Sequence, residues 1–237
     1  MSSRKVLGIA ILLFALTLVG MGIYAAFTDT ETAGVVAEAG ALDITGANDI
    51  TISNMAPGDL AFRGLTVQIP DSDNEGDLIR AIRVSVPQPA VGDDVVGTPT
   101  DVGEGSVPVG ASLLTGAQGL RVTLASCSGA WTLPAAGAAL GSDVNADGLD
   151  DSASCAGTIS INQAEIALND LVGTGDFEYG PPDYGITPTG TGTFPDGTTL
   201  NMIAQFRLPA AADNAYENAS LTFDLVFEAI QRAGVNR

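Results

Sequence analysis

The chain has 237 residues, 28 of them acidic against 9 basic, a formal charge of −19, two cysteines and no histidine. That balance excludes a nucleic-acid ligand, because phosphate contact needs clustered Lys and Arg, and the missing histidine excludes Ser-His-Asp and Cys-His catalysis and every His-ligated zinc site. With 46% hydrophobic, 5% aromatic and 16% charged residues, the chain can build a packed core, and it suits strands and turns better than a charged helical bundle.

Arg4 and Lys5 precede an uncharged run from Val6 to Phe27 that ends in small residues around Ala25 and Ala26. A basic start, an apolar middle and an A-x-A-like end describe a secretory signal peptide over residues 1–25. The alternative is a retained membrane anchor, since about 20 apolar residues span a bilayer. Either outcome places the bulk of the chain outside the cytoplasm, with membrane contact confined to this segment. Residues 26–40 follow as an extended-compatible stretch without proline, carrying apolar Phe27, Val35 and Val36 among small and polar residues.

The remainder, 41–237, reads as one all-β domain of the jelly-roll or β-sandwich class with long loops and one short helix. Early strand candidates are 41–45, 50–53 and 60–69. In the last of these Gly64 interrupts the run where the inward phase shifts from Phe62 to Leu65, which predicts a bulge. Ile82, Val84 and Val86 alternate with polar residues, as do Leu120, Val122 and Leu124. Residues 158–161 form a further short strand. The spacing by four of Ile166 with Asp170, Ala164 with Leu168 and Ala167 with Leu171 predicts a helix over 163–171, with Asn162 as its cap. Leu200, Met202, Ala204, Phe206 and Leu208 repeat the period of two, and so do Leu221, Phe223, Leu225, Phe227 and Ala229. Residues 87–108 and 173–197, dense in Gly, Pro and Thr, read as exposed loops.

Cys127 and Cys155 have only one intramolecular pairing open to them. In an exported chain they most simply form a disulfide closing the insertion around 127–155, and in the chain-entropy model such a loop is stabilised by roughly 3 kcal/mol. Two free buried thiols are the alternative. Inside that loop, residues 143–151 spell D-x-N-x-D-G-x-D-D. Calcium takes six to eight oxygen ligands on a tightly turned loop. Asp143, Asn145 and Asp147 would offer side-chain oxygens, Leu149 its carbonyl, and Asp151 a carboxylate or a bridging water. The pattern resembles the first half of an EF-hand, a dockerin or a thrombospondin type-3 repeat. It departs from the EF-hand at the twelfth position, where Ser154 stands in place of a bidentate Glu, so a flanking acid such as Asp150 would have to substitute. A plain solvated acidic loop is the alternative.

Three ordered stretches carry a resemblance. The first is Tyr24-Ala25-Ala26-Phe27-Thr28-Asp29-Thr30-Glu31 with Ala39-Gly40-Ala41-Leu42-Asp43-Ile44. The second is Asn54-Met55-Ala56-Pro57-Gly58-Asp59-Leu60 with Asn74-Glu75-Gly76-Asp77-Leu78-Ile79. The third is Leu221-Thr222-Phe223-Asp224-Leu225-Val226-Phe227-Glu228-Ala229-Ile230-Gln231. Together they resemble the TasA/camelysin (CalY) family of exported surface proteins, whose pattern runs A-F-x-D, A-G-x-L-x-L, P-G-D and F-x-x-x-F-E-A-x-Q. Residues 87–199 match nothing in that pattern.

The resemblance implies a jelly-roll subunit of an extracellular or biofilm-matrix fibre, released by a dedicated signal peptidase between Ala25 and Ala26. It also implies a head-to-tail homopolymer in which the freed N-terminal segment, with Phe27, Val35 and Val36, completes the sheet of the next subunit. Some camelysin-like proteins are described as metallopeptidases, but a chain without histidine has no H-E-x-x-H site. It also has no G-x-S-x-G elbow. The run Asp71, Asp73, Glu75, Asp77 reads as a hydrophilic turn, so no catalytic residue is expected. The alternative to a fibre subunit is a monomeric, calcium-stabilised surface or adhesion module tethered by an uncleaved N-terminal helix.

Overall fold

The computed structural model describes residues 28–29, 43–44, 50–69, 78–88, 94–99, 110–134, 143–144, 146–173, 177–190 and 192–231. Within them the chain is all-β, as its period-two patterning requires. The strands are β1 (Thr28–Asp29), β2 (Asp43–Ile44), β3 (Ile50–Ser53), β4 (Leu60–Gln68), β5 (Ile79–Ser85), β6 (Asp94–Val95) and β7 (Arg121–Cys127). They continue with β8 (Trp131–Thr132), β9 (Ser154–Cys155), β10 (Ile159–Ala167), β11 (Phe177–Tyr179), β12 (Thr199–Arg207), β13 (Ser220–Phe223) and β14 (Val226–Gln231).

One layer is a five-stranded sheet in the order β1-β4-β12-β7-β10. The facing strands form a four-stranded sheet, β11-β5-β14-β2, and a three-stranded one, β3-β13-β6. Because β13 and β14 follow each other along the chain, these two sheets are joined end to end by the C-terminal segment, with a break at Asp224 and Leu225. The alternation read over 221–229 persists across that break, with Leu221, Phe223, Leu225 and Phe227 all buried. Side chains of both layers meet in one apolar cluster that includes Leu65, Val122, Met202 and Phe206 from the first and Ile52, Ile82, Val84 and Phe223 from the second. The Phe206 and Phe223 rings meet edge-to-face at 5.5 Å, a geometry that adds about 0.5–1.5 kcal/mol beyond burial.

Strand β4 corrects the reading of Gly64. Its register with β12 runs without a shift from Thr199↔Gln68 to Arg207↔Leu60, so there is no bulge. The phase change arises because the strand is buried on both faces. Ala61, Leu65 and Val67 point into the main core, whereas Leu60 and Phe62 point outward into a second cluster with Ala125, Leu149, Ala153 and Ile203. The cover over that outer face is the disulfide-closed insertion.

The helix expected over 163–171 is not formed. Residues 159–167 are β10, which pairs antiparallel with β7 through register shifts between Ile161, Gln163 and Ile166. The exposed Glu165 takes up one shift in a left-handed backbone conformation, φ +27°. Satisfying the edge of β7 outweighs a weak local helical preference. What remains of the four-residue spacing is a 3-10 turn, Leu168–Leu171, that buries both leucines. Asn162 caps nothing, and its amide donates to the Asp183 carbonyl at 2.7 Å.

Both expected exposed loops also contain structure. Residues 94–95 pair with β13 as β6. Between 173 and 197, β11 and the 3-10 turn Pro181–Tyr184 bring Tyr179, Tyr184 and Phe194 into a buried aromatic stack. Gly- and Pro-rich composition here marks tight turns around aromatic anchors, which alternation alone does not reveal. No described helix is long and apolar enough to cross a membrane; the expected signal segment 1–25 lies outside the described residues.

Candidate functional site

Two features of the five-stranded sheet could carry function: the outer edge of β4 and the acidic insertion over the outer face.

The P-G-D stretch sets where β4 begins. Pro57 fixes its own φ, and Gly58 adopts φ +91°, a value open to glycine in a type II turn. The Asp59 amide donates to the Ala56 carbonyl at 2.9 Å, and the Asp59 carboxylate accepts the Ala56 N–H at 2.7 Å. Two further bonds, Gly58 N–H to Leu208 O at 2.8 Å and Leu208 N–H to Asp59 O at 3.0 Å, tie this turn to the end of β12. The inner edge of β4 is therefore fixed along its whole length. On the outer edge, among the described residues, only Phe62 and Arg63 are paired, to Thr28 and Asp29 of β1 in parallel register. β2, from the A-G-x-L-x-L stretch, lies on the far side of the other layer, with Asp43 and Ile44 opposite Glu228 and Phe227 of β14. The N-terminal segment thus contributes one strand to an edge of each layer. The expected cleavage pair Ala25 and Ala26 and the donor residues Phe27, Val35 and Val36 lie outside the described residues.

The glutamate of the C-terminal stretch acquires a partner. Arg83 of β5 sits in register between Glu178 of β11 and Glu228 of β14. It bonds the first at 2.7 Å and the second at 3.1 Å. Its guanidinium, aided by Arg80, holds the Glu178 carboxyl below the usual carboxylate range. Cross-strand pairing of opposite charge on this half-exposed face fixes register more than it adds stability.

The insertion is anchored by the Cys127–Cys155 disulfide, with Cα atoms 5.8 Å apart. The short pair β8 and β9 and the Trp131 indole N–H, which donates to Asn201 O at 3.0 Å, add to it. Within the acidic loop, the two Asp143 carboxylate oxygens accept the N–H groups of Asp147 at 3.0 Å and Gly148 at 2.8 Å. Asp147 accepts from Leu149 N–H at 2.8 Å, and Asp151 from Val144 N–H at 2.7 Å. Gly148, sixth in the loop, turns it at φ +86°. Asn145 lies outside the described residues, and among the described residues no three acidic or cysteine side chains converge as a metal-binding group. The carboxylates of Asp143, Asp147 and Asp151 are thus engaged with the loop's own backbone.

Gln205 of β12, unremarked in the sequence, locks this loop to the sheet. It is 1% exposed; its carbonyl accepts the Asp150 N–H at 2.6 Å and its amide donates to Gly148 O at 2.9 Å. Thr123 of β7 donates to the same carbonyl at 2.8 Å. The sequence carries no signal for it, because Thr199, Asn201 and Arg207 share the same outward phase of the strand.

An all-β sandwich whose N-terminal segment borders both layers is the class this arrangement defines. The family model for camelysin metallo-endopeptidase matches residues 2–86. This part of the chain, from the apolar N-terminal run through β5, is therefore similar to that family, in keeping with the TasA/camelysin resemblance. The third stretch, around β14, lies beyond the matched residues. No curated protein and no solved structure matches the chain.

Replacing Gln205 by Leu keeps the volume but leaves the Asp150 N–H without this acceptor inside the protein, a loss of about 1–3 kcal/mol. Hydrogen exchange should speed up over residues 148–153 while the β4–β12 ladder stays protected; unchanged exchange there would contradict the clamp.

Proposed function

We propose that the chain is an exported structural subunit that assembles head to tail into extracellular or biofilm-matrix fibres. In this reading a signal peptidase frees the N-terminus at Ala26, and residues 26–36 of one subunit add to the β4 edge of the next. The observation that carries the proposal is the parallel pairing of Thr28 and Asp29 with Phe62 and Arg63. The segment just after the expected cleavage point already has backbone complementarity to an edge that is otherwise unpaired among the described residues. In the single chain that pairing is to its own β4. The same groups would accept the segment from a neighbour, because backbone pairing is indifferent to which chain supplies the strand.

Lengths agree. Eleven extended residues reach about 36 Å against roughly 30 Å for the nine of β4. A contact between a donor on one surface and an acceptor on another is heterologous and propagates without closing. The excess of acid keeps free subunits soluble and apart until a donor docks. The family's printed description is metallo-endopeptidase; the reading here is non-catalytic, because a chain without histidine cannot supply His-ligated zinc. Deleting residues 26–36 should leave a folded monomer that forms no fibres under conditions where the mature chain does. Fibres of normal length from the deleted chain would contradict the mechanism, and an exported chain that retains Met1 would favour the tethered monomeric module.

The acidic loop serves this reading as a stiffener. Asp143 and Gly148 set its turn. Calcium would be held by Asp143, Asn145, Asp147, the Leu149 carbonyl and Asp151, with Asp147 and Asp151 leaving their present backbone partners to do so. A site built this way belongs with extracellular modules, at about 10⁻⁴–10⁻³ M. Titration calorimetry of the mature chain with calcium chloride should give saturable heat that Asp147→Ala removes. No heat from the unaltered chain would leave the loop a plain acidic turn.

A further inference from the structure

We infer that Asn218 is an N-glycosylation site, its amide taking a saccharide from a polyprenyl-phosphate-linked donor; this rests on the export reading above. Among the asparagines of the chain, only Asn218 is followed two residues later by Ser or Thr with a non-proline between, in Asn218-Ala219-Ser220. That spacing lets the hydroxyl reach the acceptor amide, and the motif marks surface loops of exported chains.

The fold presents this asparagine accordingly. It is exposed, at φ +59°, in the turn between the 3-10 turn Asn214–Tyr216 and β13. The turn is held rigidly from below: Thr98 N–H donates to Glu217 O at 2.6 Å and Ala111 N–H to Ala215 O at 2.7 Å. The Asn218 Nδ2 donates to the Thr98 carbonyl at 3.1 Å. An amide nitrogen carries two hydrogens, so one can keep that bond while the other is replaced. In the transfer, the Nδ2–C1 bond forms and the bond from C1 to the donor's phosphate oxygen breaks. The phosphate leaves with the electron pair and Nδ2 gives up one proton.

Room for the first sugar lies alongside. A cavity of about 310 Å³, walled by Asn54, Met55, Pro57 and Tyr216, opens beside Asn218. Asn54 borders the same cavity in the same left-handed conformation, φ +54°, but Ala56 stands where the hydroxyl residue is needed. It is therefore an internal control.

The test is intact mass spectrometry of the full chain isolated from the organism that makes it, beside Asn218→Asp, Ser220→Ala and Ser220→Thr made in the same cells. The expected result is a discrete saccharide mass excess in the unaltered chain and in Ser220→Thr, lost in Asn218→Asp and Ser220→Ala. Asp tolerates the left-handed turn, and Ser220→Ala keeps Asn218 itself, so loss of folding is not the cause. An unaltered chain beginning at Ala26 with no excess overturns this inference alone, and one beginning at Met1 with no excess overturns it together with the cleavage that the fibre reading requires. An excess that survives in Asn218→Asp places the sugar elsewhere and also overturns it.

Discussion

Burial of both faces and pairing of both edges make β12 the constraint on which the architecture depends. It is paired with β4 from end to end and with β7 from Asn201 to Arg207. Its even-numbered side chains, Leu200 to Leu208, fill the main core, while Ile203 and Gln205 face the insertion. A strand so enclosed leaves no freedom of register, because a one-residue slip would exchange its core face for its polar anchor. The positions of the P-G-D turn, the disulfide and the acidic loop all follow, since each is bonded to β12 or to a strand beside it.

That two-sided burial also explains which features were legible in the sequence. Where one face meets the core and the other meets solvent, as in β5, alternation names the strand directly. β4 carries a core on each face, so its apolar residues occupy both phases and the change from Phe62 to Leu65 imitates a bulge. β10 has the reverse difficulty. It is an edge strand with few buried side chains, so pairing with β7 decides its conformation and a helical spacing over 163–171 has nothing to oppose it locally. The aromatic stack of Tyr179, Tyr184 and Phe194 lies in a turn-rich stretch whose contacts are all long-range. Periodicity has no means of reporting them.

The acidic insertion was legible in its disulfide and its turn and not in its attachments. The D-x-N-x-D-G run predicts a tight turn at its glycine, which Gly148 makes at φ +86°, whereas Asp143, read as a cation ligand, accepts the N–H groups of Asp147 and Gly148. The clamp from Gln205, the shared bond from Thr123 and the pairing of Arg83 with Glu228 depend on strand neighbours remote in sequence. The disulfide thus closes a loop that is also held at its centre by a buried amide, and that amide belongs to the strand that orders β4. Any cation taken up by the loop would act on the sheet through this same contact, one strand away from the edge proposed to receive a neighbour.

Fibre growth by strand addition turns on whose β4 edge the N-terminal segment occupies once subunits assemble. A photoreactive phenylalanine analogue at position 27, in fibres grown from a mixture of light and nitrogen-15-labelled subunits, reports this directly. Head-to-tail strand addition predicts adducts near Phe62 that join differently labelled chains. Polymerised material in which every such adduct joins residues of one chain would contradict it.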